Sequence, residues 1–543
     1  MKLLLLQPPI QDFYDTAIRL QPIGLAYLKA AVKKYLPQIE VIIKDYHHGW
    51  GKHTVAPPAE LNFLKEYYSY PDRSPFSTFH HFYHFGASFA TIADEVSQLK
   101  PDLVGISALF TPYYQQVLDT VTAIRAKWNV PLLAGGAHVS ADPQQMLQHA
   151  GIDYVIRGEG ERPLVEFLKS WLGNKDFAAV PNLGYKTDSR LILNERAENF
   201  TIDDLPVPDL ADLDLQQYRY KNRPLTFIIT SRGCPYHCSF CSVQQTFGPH
   251  YRRRSVINIM TELEQRYQQG YRVFDFEDDN LTFDLPGMKT LCRELLKSFP
   301  AGAITCTAMN GISYFNLDRE LLQLMRQAGF QDLNISLVSA DAGVLSENRR
   351  TAGLNKYMEV VQTAHDLGFR IVSYQIIGLP GESLQSMIQT IILTSRLPVL
   401  LGLSPFYLTP GTPVAARFPP LNSKEMICSR STALGYDRAG PGRDEIYTLL
   451  ITGRIINFLK GLEPTDAEVS LNSIFNQYKT EVTRTTGALK LLQSLIDDRI
   501  LFADTAAAGL RPVKKFNVNL FFDLWQKLGY ITTRSQQRII LKN

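Results

Sequence analysis

Ser231-Arg232-Gly233-Cys234-Pro235-Tyr236-His237-Cys238-Ser239-Phe240-Cys241 follows directly on an apolar run, 225–230, that reads as a β-strand. Three of the chain's 6 cysteines fall in this stretch, spaced C-x3-C-x2-C. A disulfide framework belongs to short, cysteine-dense secreted chains. This chain has 543 residues, so the cluster points instead to a metal centre. Thiolates this close together wrap one centre. A closed zinc site normally takes four ligands, and the local options for a fourth are His237 and His250. A cubane iron–sulfur cluster on three cysteines leaves one iron open to a further ligand.

Outward from the cysteines, a strand–helix series continues. Strands are expected at 225–230, 273–277, 304–308, 333–337, 371–377 and 401–406, with helices such as 321–328 and 357–367 between them. Six such units predict a partial (β/α)6 barrel over 220–435, with chemistry at the carboxyl ends of its strands. Before it, 201–219 reads as a linker, because two prolines and three aspartates at 201–210 interrupt any regular element. Residues 1–200 alternate apolar strands (2–6, 41–43, 102–107, 130–134, 154–156) with helices (24–35, 164–171), the pattern of a doubly wound, Rossmann-like α/β sheet. An aromatic insert, 51–95, contains Phe79-His80-His81-Phe82-Tyr83-His84-Phe85, which reads either as packing on the sheet or as a lid. Residues 436–543 read as a small, mainly helical domain, with helices at 446–459 and 488–501.

Composition excludes little but bounds much. The chain is 45% hydrophobic and 20% charged, ordinary for a globular protein. A net charge of +3 over this length gives no reason to expect nucleic acid as a partner. No apolar run reaches bilayer length, and the opening Lys2-Leu3-Leu4-Leu5-Leu6 ends at prolines, so a buried strand and a cytoplasmic location are expected.

The cysteine motif, with an aromatic residue before its last cysteine, resembles the radical S-adenosylmethionine superfamily. Placed behind a doubly wound domain, it resembles the cobalamin-binding class of that superfamily over residues 1 to about 420. The resemblance implies a [4Fe–4S] cluster on Cys234, Cys238 and Cys241. Its open iron would chelate S-adenosylmethionine, and reductive cleavage would give methionine and a 5′-deoxyadenosyl radical. Phe240 would lie against the adenine. Glu277, Asp278 or Asp279 would hold the methionine ammonium, the alternative being helix capping. Gly378 and Glu382, in Gly378-Leu379-Pro380-Gly381-Glu382, match a glycine motif near the adenine. The family's fourth strand often carries a glutamate where this chain has Val338, so ribose contacts would fall to Ser336 or Ser339.

In the first domain, Ser107 and Leu109 followed by Gly135 and Gly136 resemble the cobalamin-binding pattern, and His138, Gly158 and Gly160 lie on neighbouring strand ends. Gly158 to Pro163 lacks the lysine of a phosphate-binding P-loop. Asp45-Tyr46-His47-His48-Gly49-Trp50 begins like the cobalt-ligating motif but has Trp50 where glycine is usual, so His47 is either a lower ligand or a surface loop histidine. The implied function is methyl transfer to an unactivated carbon or phosphorus of a small molecule, with a flavodoxin- or ferredoxin-like reductant as partner. A radical rearrangement, ring closure or oxidation with the same cofactors is the alternative. From other classes stand a cobalamin-binding sensor and a zinc-stabilised module. A methylthiotransferase, which needs a second cluster, is excluded because no cysteine precedes Cys234. No catalytic side chain is evident, and Tyr407, Thr409 and Thr412 are placed near the substrate only by their position after the sixth barrel strand.

Overall fold

Leu3, Leu4, Leu5 and Leu6 are apolar in succession because both faces of their strand are covered, and all four are fully buried. In a computed structural model, which describes all residues except 17–19, 188–189, 198, 439, 479–482, 507 and 542–543, they belong to β1 (Lys2–Gln7). The neighbouring strands are β2 (Glu40–Asp45), β3 (Leu103–Ser107), β4 (Leu132–Gly135) and β5 (Tyr154–Ile156). The five run parallel in the order β2-β1-β3-β4-β5. Helices Ile23–Tyr35 and Glu161–Leu172 pack together, as do Phe89–Leu99 and Tyr114–Lys127, which is the covering a doubly wound sheet requires. Two antiparallel edge strands, β6 (Leu183–Lys186) and β7 (Leu191–Leu193), extend the sheet beyond the expected five.

The chain divides into two compact units that interleave along the sequence. The first comprises Met1–Val55, Phe82–Cys306 and Thr409–Ile427. It holds the seven-stranded sheet, a small antiparallel sheet of Ile10–Asp12, Lys52–Thr54 and Tyr83–Phe85, and the first barrel strands. Of these, β8 (Arg223–Ile228) and β9 (Val273–Phe276) pair in parallel with Leu225 opposite Val273, and β10 (Thr305–Thr307) lies next to β9.

The second unit comprises Ala56–His81, Thr307–Leu408 and Cys428–Asn543. Its parallel strands β11 (Asp332–Val338), β12 (Arg370–Ile377) and β13 (Leu400–Pro405) complete the six expected from the sequence. Helix Arg443–Lys460 is fixed to β13 through Asn457, whose side chain both accepts from Leu401 N and donates to Leu401 O, each at 2.8 Å. The last hundred residues are mainly helical, as expected, but also form short strands (Glu468–Ser470, Arg538–Ile540, Tyr530–Thr532) and a hairpin, Phe502–Thr505 with Gly509–Pro512. The first part of the aromatic insert packs here: Tyr68 donates to Thr432 O at 2.7 Å and Arg73 pairs with Asp504 at 2.8 Å. Among the described residues no helix is long and apolar enough to cross a membrane.

Candidate cofactor site

The cysteine loop is built from the end of β8 downward. Ser231–Arg232 pairs antiparallel with Arg252–Arg253, and Cys241 N donates to Cys238 O at 3.1 Å to close the turn. Gly233 sits at φ +79, where a Cβ would meet His250 O at 2.4 Å, so only glycine lets the chain turn into the first cysteine. Asp278, fully buried after β9, accepts from Thr230 N at 3.1 Å, Thr230 Oγ1 at 2.8 Å and Ser231 Oγ at 2.5 Å. Asp279 accepts from Gly233 N at 3.0 Å. Two of the three acids thus brace the loop, while Glu277 is half-buried at the strand end with its own N–H on Ile228 O.

The three thiols share one environment. Burial, reinforced by the neighbouring cysteines and Asp279, pushes the Cys241 thiol up to about 12. Burial and the Cys238 charge also raise Cys234. Such thiols give up their protons only to a cationic centre, which fits an iron–sulfur cluster. Asn280, which the sequence reading passed over, donates from Nδ2 to Cys234 Sγ at 3.6 Å, and its Oδ1 is buried without a hydrogen-bond partner. Of the local histidines, His237 has its Nδ1 engaged by Gln244 at 2.7 Å. Phe240 is half-buried between Ser239 and Cys241.

In the second unit, Ser339, Gly378 and Glu382 form one cluster. Glu382 accepts from Gly378 N at 3.0 Å, Leu379 N at 3.2 Å and Ser339 Oγ at 3.3 Å, and burial pushes its carboxyl up to about 7. Ser336 accepts instead from Arg350 at its carbonyl, 2.6 Å. Val338 stands at φ +71, a strained conformation for a β-branched residue.

The sheet order β2-β1-β3 reverses direction between β1 and β3, the topological switch point where open α/β sheets bind ligands. A concavity lies there, lined by Pro8, Pro9, Ser107, Leu109, Phe110 and Tyr113. Ser107 and Leu109 were expected there; the prolines and aromatics were not. One strand over, Gly136 at φ +117 approaches Ala108 so closely that a Cβ would lie 2.6 Å from its carbonyl oxygen. Gly135 ends β4, accepting from Ala108 N at 2.7 Å. Gly158 donates to Ser140 Oγ at 2.8 Å, and Gly160 precedes helix Glu161–Leu172. His138 is buried, with Nδ1 3.3 Å from Thr111 Oγ1 and Nε2 3.0 Å from Gln145 Oε1. His47 is no surface residue: it is 1% exposed, with Nδ1 3.3 Å from Phe85 O, and Asp45 accepts from its N–H at 2.8 Å. The concavity holds about 300 Å³ of empty space, room for only a part of a ligand as large as cobalamin, and the glycines on the neighbouring strand ends leave backbone there open to close approach.

The Radical SAM superfamily model matches residues 228–393 and the B12 binding domain model matches 78–168. An uncharacterized methyltransferase of Pyrococcus horikoshii is 27% identical over 316 residues, 58% of this chain and 68% of that one. The cytidylyl-2-hydroxyethylphosphonate methyltransferase of Streptomyces wedmorensis is 27% identical over 434 residues, covering 71% and 75%. The anaerobic magnesium-protoporphyrin IX monomethyl ester cyclase of Cereibacter sphaeroides is 24% identical over 311 residues, covering 56% of this chain and 50% of that one. The solved structure of the radical S-adenosylmethionine methyltransferase TsrM from Kitasatospora setae, with cobalamin and a [4Fe–4S] cluster bound, shares the fold at TM-score 0.59 and 19% identity, covering 77% and 74%. This chain thus carries a B12-binding domain ahead of a radical SAM domain, the arrangement of a B12-binding radical S-adenosylmethionine enzyme that works with a [4Fe–4S] cluster, S-adenosylmethionine and cobalamin.

Proposed function

We propose that the enzyme transfers a methyl group to an unactivated carbon, or to phosphorus, of a small molecule. The observation that carries this reading is the meeting of the two cofactor loops within one unit. Helix Val243–Phe247, two residues after Cys241, packs on Ala137–Ala141, which follows the glycine pair of β4. A methyl carrier and a radical source must share a substrate pocket, and these loops supply adjoining walls for it. The methyltransferase relatives support the same reaction class.

When bound, the cofactors supply a 5′-deoxyadenosyl radical and a transferable methyl group. In this reading Cys234, Cys238 and Cys241 hold the cluster, and Asn280 polarises Cys234 through its N–H. Asp278 is committed to Thr230 and Ser231, so the methionine ammonium falls to Glu277 or Asp279. Phe240 is the candidate adenine contact of the first unit; Ser336, Ser339, Gly378 and Glu382, in the second, remain the nucleoside candidates that the resemblance implies. Ser107, Leu109, Gly135, Gly136, Gly158 and Gly160 seat cobalamin, and His138 supports that rim from below through Thr111 and Gln145.

The test is anaerobic reconstitution with iron, sulfide and cobalamin, then turnover with S-adenosylmethionine deuterated in its methyl group. Deuterium in the product, with S-adenosylhomocysteine formed alongside, supports methyl transfer. A product that gains no label while 5′-deoxyadenosine accumulates supports the second reading, radical cyclisation or oxidation, which the cyclase relative favours.

A further inference from the structure

Between the two cofactor loops lies a buried ion-pair network. Arg232, two residues before Cys234, donates to Glu159 Oε1 at 2.7 Å and to Glu161 Oε1 at 2.6 Å. Arg252 donates to the other Glu159 oxygen at 2.7 Å, and Asn199 to the other Glu161 oxygen at 2.7 Å. The side chains of Arg232, Glu159 and Glu161 are only 6%, 9% and 6% exposed. Beneath them the Arg232 guanidinium sits 5.0 Å from the centre of the Tyr27 ring, and Arg254 bonds the Tyr27 hydroxyl at 3.3 Å. Two guanidiniums thus balance two carboxylates, and three of the four carboxylate oxygens take an arginine.

Burying charges in this way is a poor route to stability, because desolvation offsets most of the attraction. What such a network supplies is direction: a planar guanidinium between two fixed carboxylates has one orientation. Its position says what is being oriented. Glu159 lies between Gly158 and Gly160, on the rim proposed above for cobalamin, while Arg232 is separated from the first cluster cysteine by a single residue. Two residues of chain reach about 7 Å at most, so a shift of Arg232 carries Cys234 with it.

We propose that Arg232, clamped by Glu159 and Glu161, is a positioning residue that fixes the cluster loop against the cobalamin rim and so sets the separation of iron from cobalt. The proposal rests on cobalamin seating at the ends of β3 to β5. It is tested in the reconstituted holoenzyme by electron paramagnetic resonance, with the cluster reduced and cobalt in the Co(II) state, where the two spins split each other's signal according to their distance. Wild type shows a resolved interaction. E159Q and R232K, at wild-type iron and cobalamin content, show it broadened or lost, and release 5′-deoxyadenosine while transferring less labelled methyl. If E159Q does not load, the charge-neutral pair E159Q/R252Q takes its place with the same expectation. An unchanged interaction in fully loaded variants overturns the clamp alone. A wild type that binds cobalamin yet shows no interaction overturns the seating and the clamp together. Loss of loading in every variant also overturns the proposal, since the network would then be a folding element.

Discussion

Cys234 and Cys241 are thiols whose burial disfavours ionisation until iron arrives, and Cys238 stands between them in the same loop. Replacing any one with serine is therefore expected to abolish cluster absorbance and 5′-deoxyadenosine release, checked by iron content and chromatography of the turnover mixture. A second consequence concerns Glu382. An ordinary glutamate titrates near 4.5, and this one at about 7. Between those values the folded chain holds a proton that the unfolded chain has released, so stability falls as pH rises through the window, by at most about 3 kcal/mol. Glu382→Gln is expected to flatten that slope in thermal melts of the apo-protein. The cysteines, the acids and the glycine turn were all legible from the sequence, because each is a local pattern. The division of labour among the acids was not. That Asp278 braces Thr230 and Ser231 depends on β8 and β9 lying side by side, a contact across 48 residues. Asn280 and Glu159 were overlooked for the same reason, since nothing near them in sequence announces their partners.

At the scale of elements, the six barrel strands and five parallel strands of the first sheet are legible to within a few residues, because most carry a run of apolar or β-branched residues, Leu3–Leu6 being the plainest. The two- and three-residue strands, and the edge pair β6 and β7, carry too few side chains to show a period. Helix Arg443–Lys460 was also visible, but not how it ends. The Lys460 ammonium is buried and donates to Ser395 O, Leu397 O and Thr532 O at 2.8, 2.6 and 2.8 Å. Lys460→Met removes the ammonium donor from all three carbonyls, of which Leu397 O keeps Val399 N at 2.8 Å, and is expected to destabilise the protein by about 2–3 kcal/mol, read from denaturant unfolding. The packing of the loops after β3 and β4 gives a further test. Gly136→Ala places a methyl against the Ala108 carbonyl at a φ that alanine avoids. A strain of about 1–3 kcal/mol set against ligand binding on that rim corresponds to a hold on cobalamin roughly 5- to 150-fold weaker. Titration of hydroxocobalamin by visible absorbance checks it.

For the molecule as a whole, the order of domains was readable but the way the chain is shared between its compact units was not. Residues 56–81 pack with residues more than 350 positions further on, through Tyr68, Arg73 and the backbone of Thr432 and Asp504. During synthesis this early segment, with its apolar Leu61, Leu64, Tyr68 and Phe76, waits uncovered while some four hundred residues are still to be added. At about 5–20 residues per second that is an interval of tens of seconds. Nascent chains of this protein are thus expected to lean on a chaperone at the ribosome far more than their ordinary composition suggests.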